Sequence, residues 1–172
     1  MRITPSAAAL LLFTATLLSA CQKAEPVVDW RYTKWHMTAA EVRTASGGKA
    51  QTADASDQAH DRSRDNRVLL KAPVTWQGLG FMAYYAFGPT DGLLESVTLE
   101  LQNASASSNA KLLSLLERQY GQPYSGHEDP STKLLVWGTT GEQVTFIKLS
   151  DPQLAVGAPA TSVSYQPLIS SR

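Results

Sequence analysis

The sequence predicts an α+β domain in which a helix and a three-stranded antiparallel meander occur twice, in the order α-βββ-α-βββ. Two segments, near Thr38 and near Ser107, combine helical apolar spacing with residues that start and stop helices. Each is followed by three β-rich runs separated by turn residues. The half-repeats cover about residues 30–104 and 105–172 of one domain, 30–172.

The first helix is announced by Trp35-His36-Met37-Thr38-Ala39-Ala40-Glu41-Val42. Thr38 is a suitable N-cap, and Glu41 three residues later completes a capping box. Met37 and Val42 are spaced for a hydrophobic staple. Gly47-Gly48 stops the helix after about Ser46, with Val42 and Ala45 expected inside. Lys49 to Arg67 has no apolar period and reads as a long loop, with alternating charges from Asp61 to Arg67 that suit a solvated surface.

The first meander runs Arg67 to Trp76, Phe81 to Phe87 and Leu93 to Leu101. Pro73 marks an edge or a bulge, because proline donates no ladder hydrogen bond. Gln77-Gly78-Leu79-Gly80 and Gly88-Pro89-Thr90-Asp91-Gly92 are turns. In the second strand Phe81, Ala83, Tyr85 and Phe87 share one face, and Met82, Tyr84 and Ala86 the other. The second helix spans Ser107 to Tyr120, capped by Ser107 or Ser108, with Leu112, Leu113, Leu115, Leu116 and Tyr120 as its apolar stripe. Gly121 and Pro123 end it, and Gln122 to Thr132 reads as loop. Strands at Lys133 to Trp137, Gln143 to Leu149 and Thr161 to Tyr165 follow, then a tail from Leu168.

Ahead of the domain, Arg2 precedes an uncharged apolar run from Ala7 to Leu18, and Leu18-Ser19-Ala20 places small residues before Cys21. This is the layout of a secretory signal, too short to span a bilayer. Leu18-Ser19-Ala20-Cys21 resembles the lipobox of bacterial lipoproteins. The resemblance implies cleavage between Ala20 and Cys21, a diacylglycerol on the Cys21 thiol and an acyl chain on its new amine. Residues 1–20 would be the signal peptide and 21–29 the anchor and tether. Gln22 is not the aspartate that usually retains such proteins at the inner membrane, so the resemblance implies the periplasmic face of the outer membrane. The alternative is a plain signal peptide followed by an unrelated cysteine. That would leave the chain's one cysteine as a stray thiol in an oxidising compartment.

The stretch Trp35-His36-Met37-Thr38, Glu41-Val42 and Gly48 resembles the helix opening of small lipoproteins with a BamE-like domain, where Gly-Met-Thr or Gly-Met-Ser precedes Glu-Val. Two such units in tandem resemble the β-lactamase-inhibitor protein. His36 departs from the pattern, standing where the family usually has glycine. The resemblance implies fold and envelope location, and brings no activity or binding residues with it.

Chemistry is sparse. The 15 basic and 15 acidic residues balance, which disfavours nucleic acid and any anionic lipid surface beyond the anchor. The three histidines, His36, His60 and His127, have no ligand spacing, and there is no second cysteine for zinc. His127-Glu128-Asp129 could touch a metal but reads better as a turn. No Gly-x-Ser-x-Gly elbow or phosphate-cradling glycine loop is present. The expectation is therefore a binding protein, not an enzyme, with no cofactor and no metal. Its partners would be the bilayer, through acylated Cys21, and an envelope protein. Trp76 and Tyr84 are the candidate partner-binding residues, provided they lie exposed on the sheet. An inhibitor or small-ligand binder using its sheet face is the alternative.

Overall fold

The computed structural model describes residues 29–60, 66–151 and 160–168. The segment expected to be a signal peptide, the expected Ala20–Cys21 cleavage site, the expected tether as far as Val28 and residues 152–159 lie outside the described residues.

A short 3-10 helix, Asp29–Tyr32, leads into α1, Ala39–Ala45. The Thr38 side chain accepts from the Glu41 N–H at 3.3 Å, and the Glu41 carboxylate accepts from the Thr38 N–H at 2.8 Å. The Thr38 N–H, and then the Thr38 hydroxyl that donates to the same carboxylate at 2.8 Å, hold the Glu41 carboxyl below the usual carboxylate range. Val42 is fully buried and Met37 packs against the same core. Ala45 is exposed; Ser46 and Ala50 turn inward in its place. The helix ends through Gly47 and Gly48, both at positive φ.

The strands are β1 (Gln51–Thr52), β2 (Arg67–Trp76), β3 (Leu79–Phe87), β4 (Leu94–Leu101), β5 (Ser125–Glu128), β6 (Thr132–Gly138), β7 (Glu142–Leu149) and β8 (Thr161–Pro167). They form one antiparallel sheet in the order β1-β2-β3-β4-β8-β7-β6-β5. The expected α-βββ-α-βββ arrangement is thereby overturned. Instead of a helix and three-stranded meander occurring twice, two α-helices accompany a single eight-stranded sheet. The edge strands β1 and β5 are the ones the pattern missed. Every residue of both is exposed, so neither carries apolar alternation; both are held by the backbone ladder, with surface contacts of Glu128 to Lys133 and of Thr52 to Arg43. The Lys49–Arg67 stretch is also more structured than expected, containing β1 and a second 3-10 helix, Ala55–His60; its 61–65 portion lies outside the described residues.

Helix α2, Ala106–Tyr120, connects β4 to the far edge at β5. Its N-cap is Ser105, two residues earlier than the pattern suggested, with Ser108 closing the capping box. Leu112, Leu115 and Leu116 are buried. Trp137 donates its indole N–H to the Gly121 carbonyl at 2.9 Å, tying the helix end to β6. Leu70, Ala72, Val74, Trp76, Phe81, Ala83, Tyr85 and Phe87 face the same core as the buried residues of both helices, joined by Val97, Leu99, Val144, Phe146, Val163 and Tyr165.

Two bulges adjust this face. One at Leu69 puts Val68 and Leu70 on opposite faces although they are two residues apart. Another at Glu95 returns Leu94 to the core. Pro73 lies beyond the reach of β1, opposite Met82, where its missing N–H costs no ladder bond.

His36 adopts φ +66°, a left-handed conformation glycine adopts at lower cost. Its N–H donates to the Leu94 carbonyl at 3.1 Å, and Leu94 N–H donates to Met37 at 2.8 Å. The position is therefore locked to β4 regardless of its side chain. His36→Gly is expected to raise stability by up to about 1 kcal/mol, measured by urea denaturation, because relief of strain exceeds the entropy added to the unfolded chain.

Candidate functional site

Trp76 and Tyr84 do not form an exposed patch. Trp76 is 6% exposed and belongs to the main core; Tyr84 is 8% exposed on the opposite face. Both sit at apolar positions of well-paired strands, and each face is covered where they lie. The expectation that they meet a partner is corrected accordingly. The large apolar side chain most open to solvent among the described residues is Tyr124, 66% exposed, just before β5.

What covers Tyr84 is a polar cluster delivered by the second 3-10 helix. The His60 ring stacks on Tyr84 with centroids 4.1 Å apart and planes within 4°, and its Nδ1 contacts the Glu100 carboxylate. Lys71 of β2 pairs with Asp57 at 2.7 Å and with Asp54 at 3.2 Å. Gln58 bonds both backbone groups of Val68, at 2.7 and 3.1 Å, beside the bulge. Hydrogen bonds from Ser56 and then Lys71 lower Asp54 to about 2, and the Asp57 contact raises Lys71. Every charge named here already has a partner. The arrangement latches a short helix onto the sheet.

His127 contacts Asp129 at 3.1 Å, while Asp129 accepts from the Ser131 and Thr132 N–H groups at 2.7 Å each. The Ser131 hydroxyl, donating at 2.6 Å, and then these backbone bonds hold its carboxyl well below the usual range, and they make this the turn between β5 and β6. Among the described residues no three His, Cys, Asp or Glu side chains converge as a metal would require.

The arrangement best suited to binding lies at the start of the domain. A cleft of about 330 Å³ is lined by Trp30, Arg31, Thr33, Lys34, Trp35 and Glu142. The Arg31 guanidinium sits 4.8 Å from the Trp30 ring centre and 5.6 Å from that of Tyr165, within cation–π range of both. It donates to the Tyr120 hydroxyl at 2.5 Å and pairs with Glu142 at 3.5 Å. Trp30 packs on Tyr165 with centroids 4.3 Å apart, and the Tyr32 and Tyr85 hydroxyls share a 2.6 Å hydrogen bond. Burial raises both Tyr120 and Tyr165, so both remain neutral hydroxyls. This corner is built from the segment Trp30 to Trp35. Its interleaved aromatics and cations, Trp30-Arg31-Tyr32 and Lys34-Trp35, were the available signal; Glu142, 111 residues from Arg31, could not be placed beside them.

The chain matches no known protein family, no curated protein and no solved structure. The functional reading therefore stands on the residues themselves.

Burial, then the Glu100 charge, push Tyr84 up to about 12. The folded state thus holds a proton that the unfolded chain releases near 10. The stabilisation is complete below pH 10 and is lost as pH rises toward 12. Denaturation at pH 9 and pH 11 should show a loss of stability that Tyr84→Phe reduces; Tyr120, Tyr165 and Lys71, all raised as well, contribute to what remains.

Proposed function

We propose that the protein is a lipid-anchored envelope protein that binds protein partners at the periplasmic face of the outer membrane. The observation that carries this reading is the spacing between the lipobox-like Leu18–Cys21 and the domain. The first 3-10 helix begins at Asp29, eight residues after the chain's only cysteine. Fully extended, that tether reaches about 26 Å. Two or more acyl chains on Cys21 make a stable anchor where one is marginal. Such an anchor would hold the Trp30–Trp35 corner close to the bilayer surface, available to a membrane-embedded or membrane-bound partner.

The role is placement and binding, not catalysis. The acid–base groups that approach one another, His60 with Glu100 and Lys71 with Asp57, are engaged in holding a helix on the sheet. The balanced charge argues against nucleic acid as the partner. The second reading, a small-ligand binder or inhibitor that acts through the domain alone, is favoured by the cleft and its mixed aromatic and polar lining.

Envelope fractionation and crosslinked capture of wild type and Cys21→Ser separate the two. Under the placement reading the wild type sediments with outer membranes and captures a membrane complex. Cys21→Ser loses both properties. Capture of one and the same soluble protein by both forms sinks that reading in favour of the second.

A further inference from the structure

The cleft at the start of the domain contains two groups that the fold leaves without a counterpart. Trp30 is 3% exposed, and its indole N–H is buried without an acceptor. Buried donors are nearly always paired in folded proteins, so such a group points to a missing acceptor. Lys34 is exposed at the rim and has no ion-pair partner among the described residues. The remaining polar lining is already committed. Arg31 is engaged by Tyr120 and Glu142, and the Thr33 hydroxyl donates to the Trp30 carbonyl at 3.0 Å. The one carboxylate of the lining, Glu142, pairs with Arg31, so Lys34 and the Trp30 N–H are left without an acceptor, and Trp35, half-buried, offers an aromatic wall beside them.

We propose that this cleft binds a single carboxylate carried on a compact apolar body. The carboxylate oxygens answer Lys34 and the Trp30 indole N–H, and the apolar body lies against Trp35. The volume is at the small end of ligand pockets and suits a group the size of an aromatic side chain, not a nucleotide or a large cofactor. Glu142 sets the charge limit. It lines the same cleft, and among the described residues its charge is paired with Arg31 at 3.5 Å. A dianion such as a phosphate monoester would meet more repulsion there than a monoanion. The proposal does not depend on the lipid anchor, so its failure would leave the location of the protein untouched.

The test is a titration of the full chain in detergent micelles, ¹⁵N-labelled at tryptophan, with phenylacetate as the probe and phenylacetamide and phenyl phosphate as controls. The four indole N–H signals, from Trp30, Trp35, Trp76 and Trp137, report separately. Phenylacetate should shift the Trp30 and Trp35 signals saturably and leave the two core tryptophans in place. Phenylacetamide should bind about tenfold more weakly or worse, for loss of a charge-assisted hydrogen bond. Phenyl phosphate should be the poorer anion. Lys34→Gln should weaken phenylacetate about tenfold without unfolding the protein, since the side chain is exposed, and Lys34→Arg should retain binding. Absence of a saturable shift, equal binding of acid and amide, or indifference to Lys34→Gln would overturn the proposal. A short peptide ending in phenylalanine distinguishes the sources of the carboxylate. Binding more than about tenfold tighter than phenylacetate, abolished by C-terminal amidation, assigns the site to a polypeptide terminus. Equal affinity assigns it to a free small acid.

Discussion

Between β4 and β8, four residue pairs join strands far apart in the chain: Val97 with Tyr165, Thr98 with Ser164, Leu99 with Val163, and Glu100 with Ser162. Thr98 and Ser164 also share a 3.0 Å side-chain hydrogen bond across 66 residues. On either side of this seam the sheet is built by strands consecutive in the chain. Across the seam nothing is local, and closure must offset the entropy of a long loop. The compensation is burial. Val97, Leu99, Val163 and Tyr165 lie at the centre of the core, where α2 brings Leu112, Leu115 and Leu116. Tyr165 in turn carries Trp30 on its ring, so the seam also positions the aromatic and cationic corner of the cleft.

The opposite face follows a different logic. Ser96, Thr98, Glu100 and Ser162 are buried there although they are polar. Burial of such groups is tolerable when they are hydrogen-bonded, and Thr98–Ser164 and His60–Glu100 are two of the bonds that do so. The second 3-10 helix completes the cover over β2 to β4, with Gln58 bonded to both backbone groups of Val68 beside the bulge. One face is therefore a conventional apolar core and the other a polar layer stapled by a few specific contacts. Tyr84 belongs to the second, which is why burial and a neighbouring carboxylate both oppose its ionisation.

Much of the local structure was legible in the sequence because it depends on neighbours. The Thr38–Glu41 capping box, the glycine stop after α1, the leucine stripe of α2 and the alternation of Phe81 to Phe87 need no distant contact. What was not legible depends on register or on remote partners. β1 and β5 are polar throughout, so hydrogen bonding to β2 and β6 is their only qualification as strands. The bulges at Leu69 and Glu95 change which residues share a face, and alternation alone cannot reveal them. Trp76 and Tyr84 looked like surface aromatics only while the layers over the sheet were unknown. The cleft was invisible for a similar reason: Glu142 opens β7 and meets Arg31 only after the whole sheet has formed.

The position of β8 has a consequence for synthesis. It is the last strand in chain order, yet it lies in the middle of the sheet, between β4 and β7. A chain emerging N-terminus first can form β2 to β4 early, but the inner edge of β4 stays open until Thr161–Pro167 arrives. During that interval β4 presents unpaired backbone groups to any other extended chain nearby. Premature termination before Thr161 would make the exposure permanent, since it removes the central strand and leaves two sub-sheets with nothing between them. Quality control acting on this protein would have to protect an interior edge, not a frayed end.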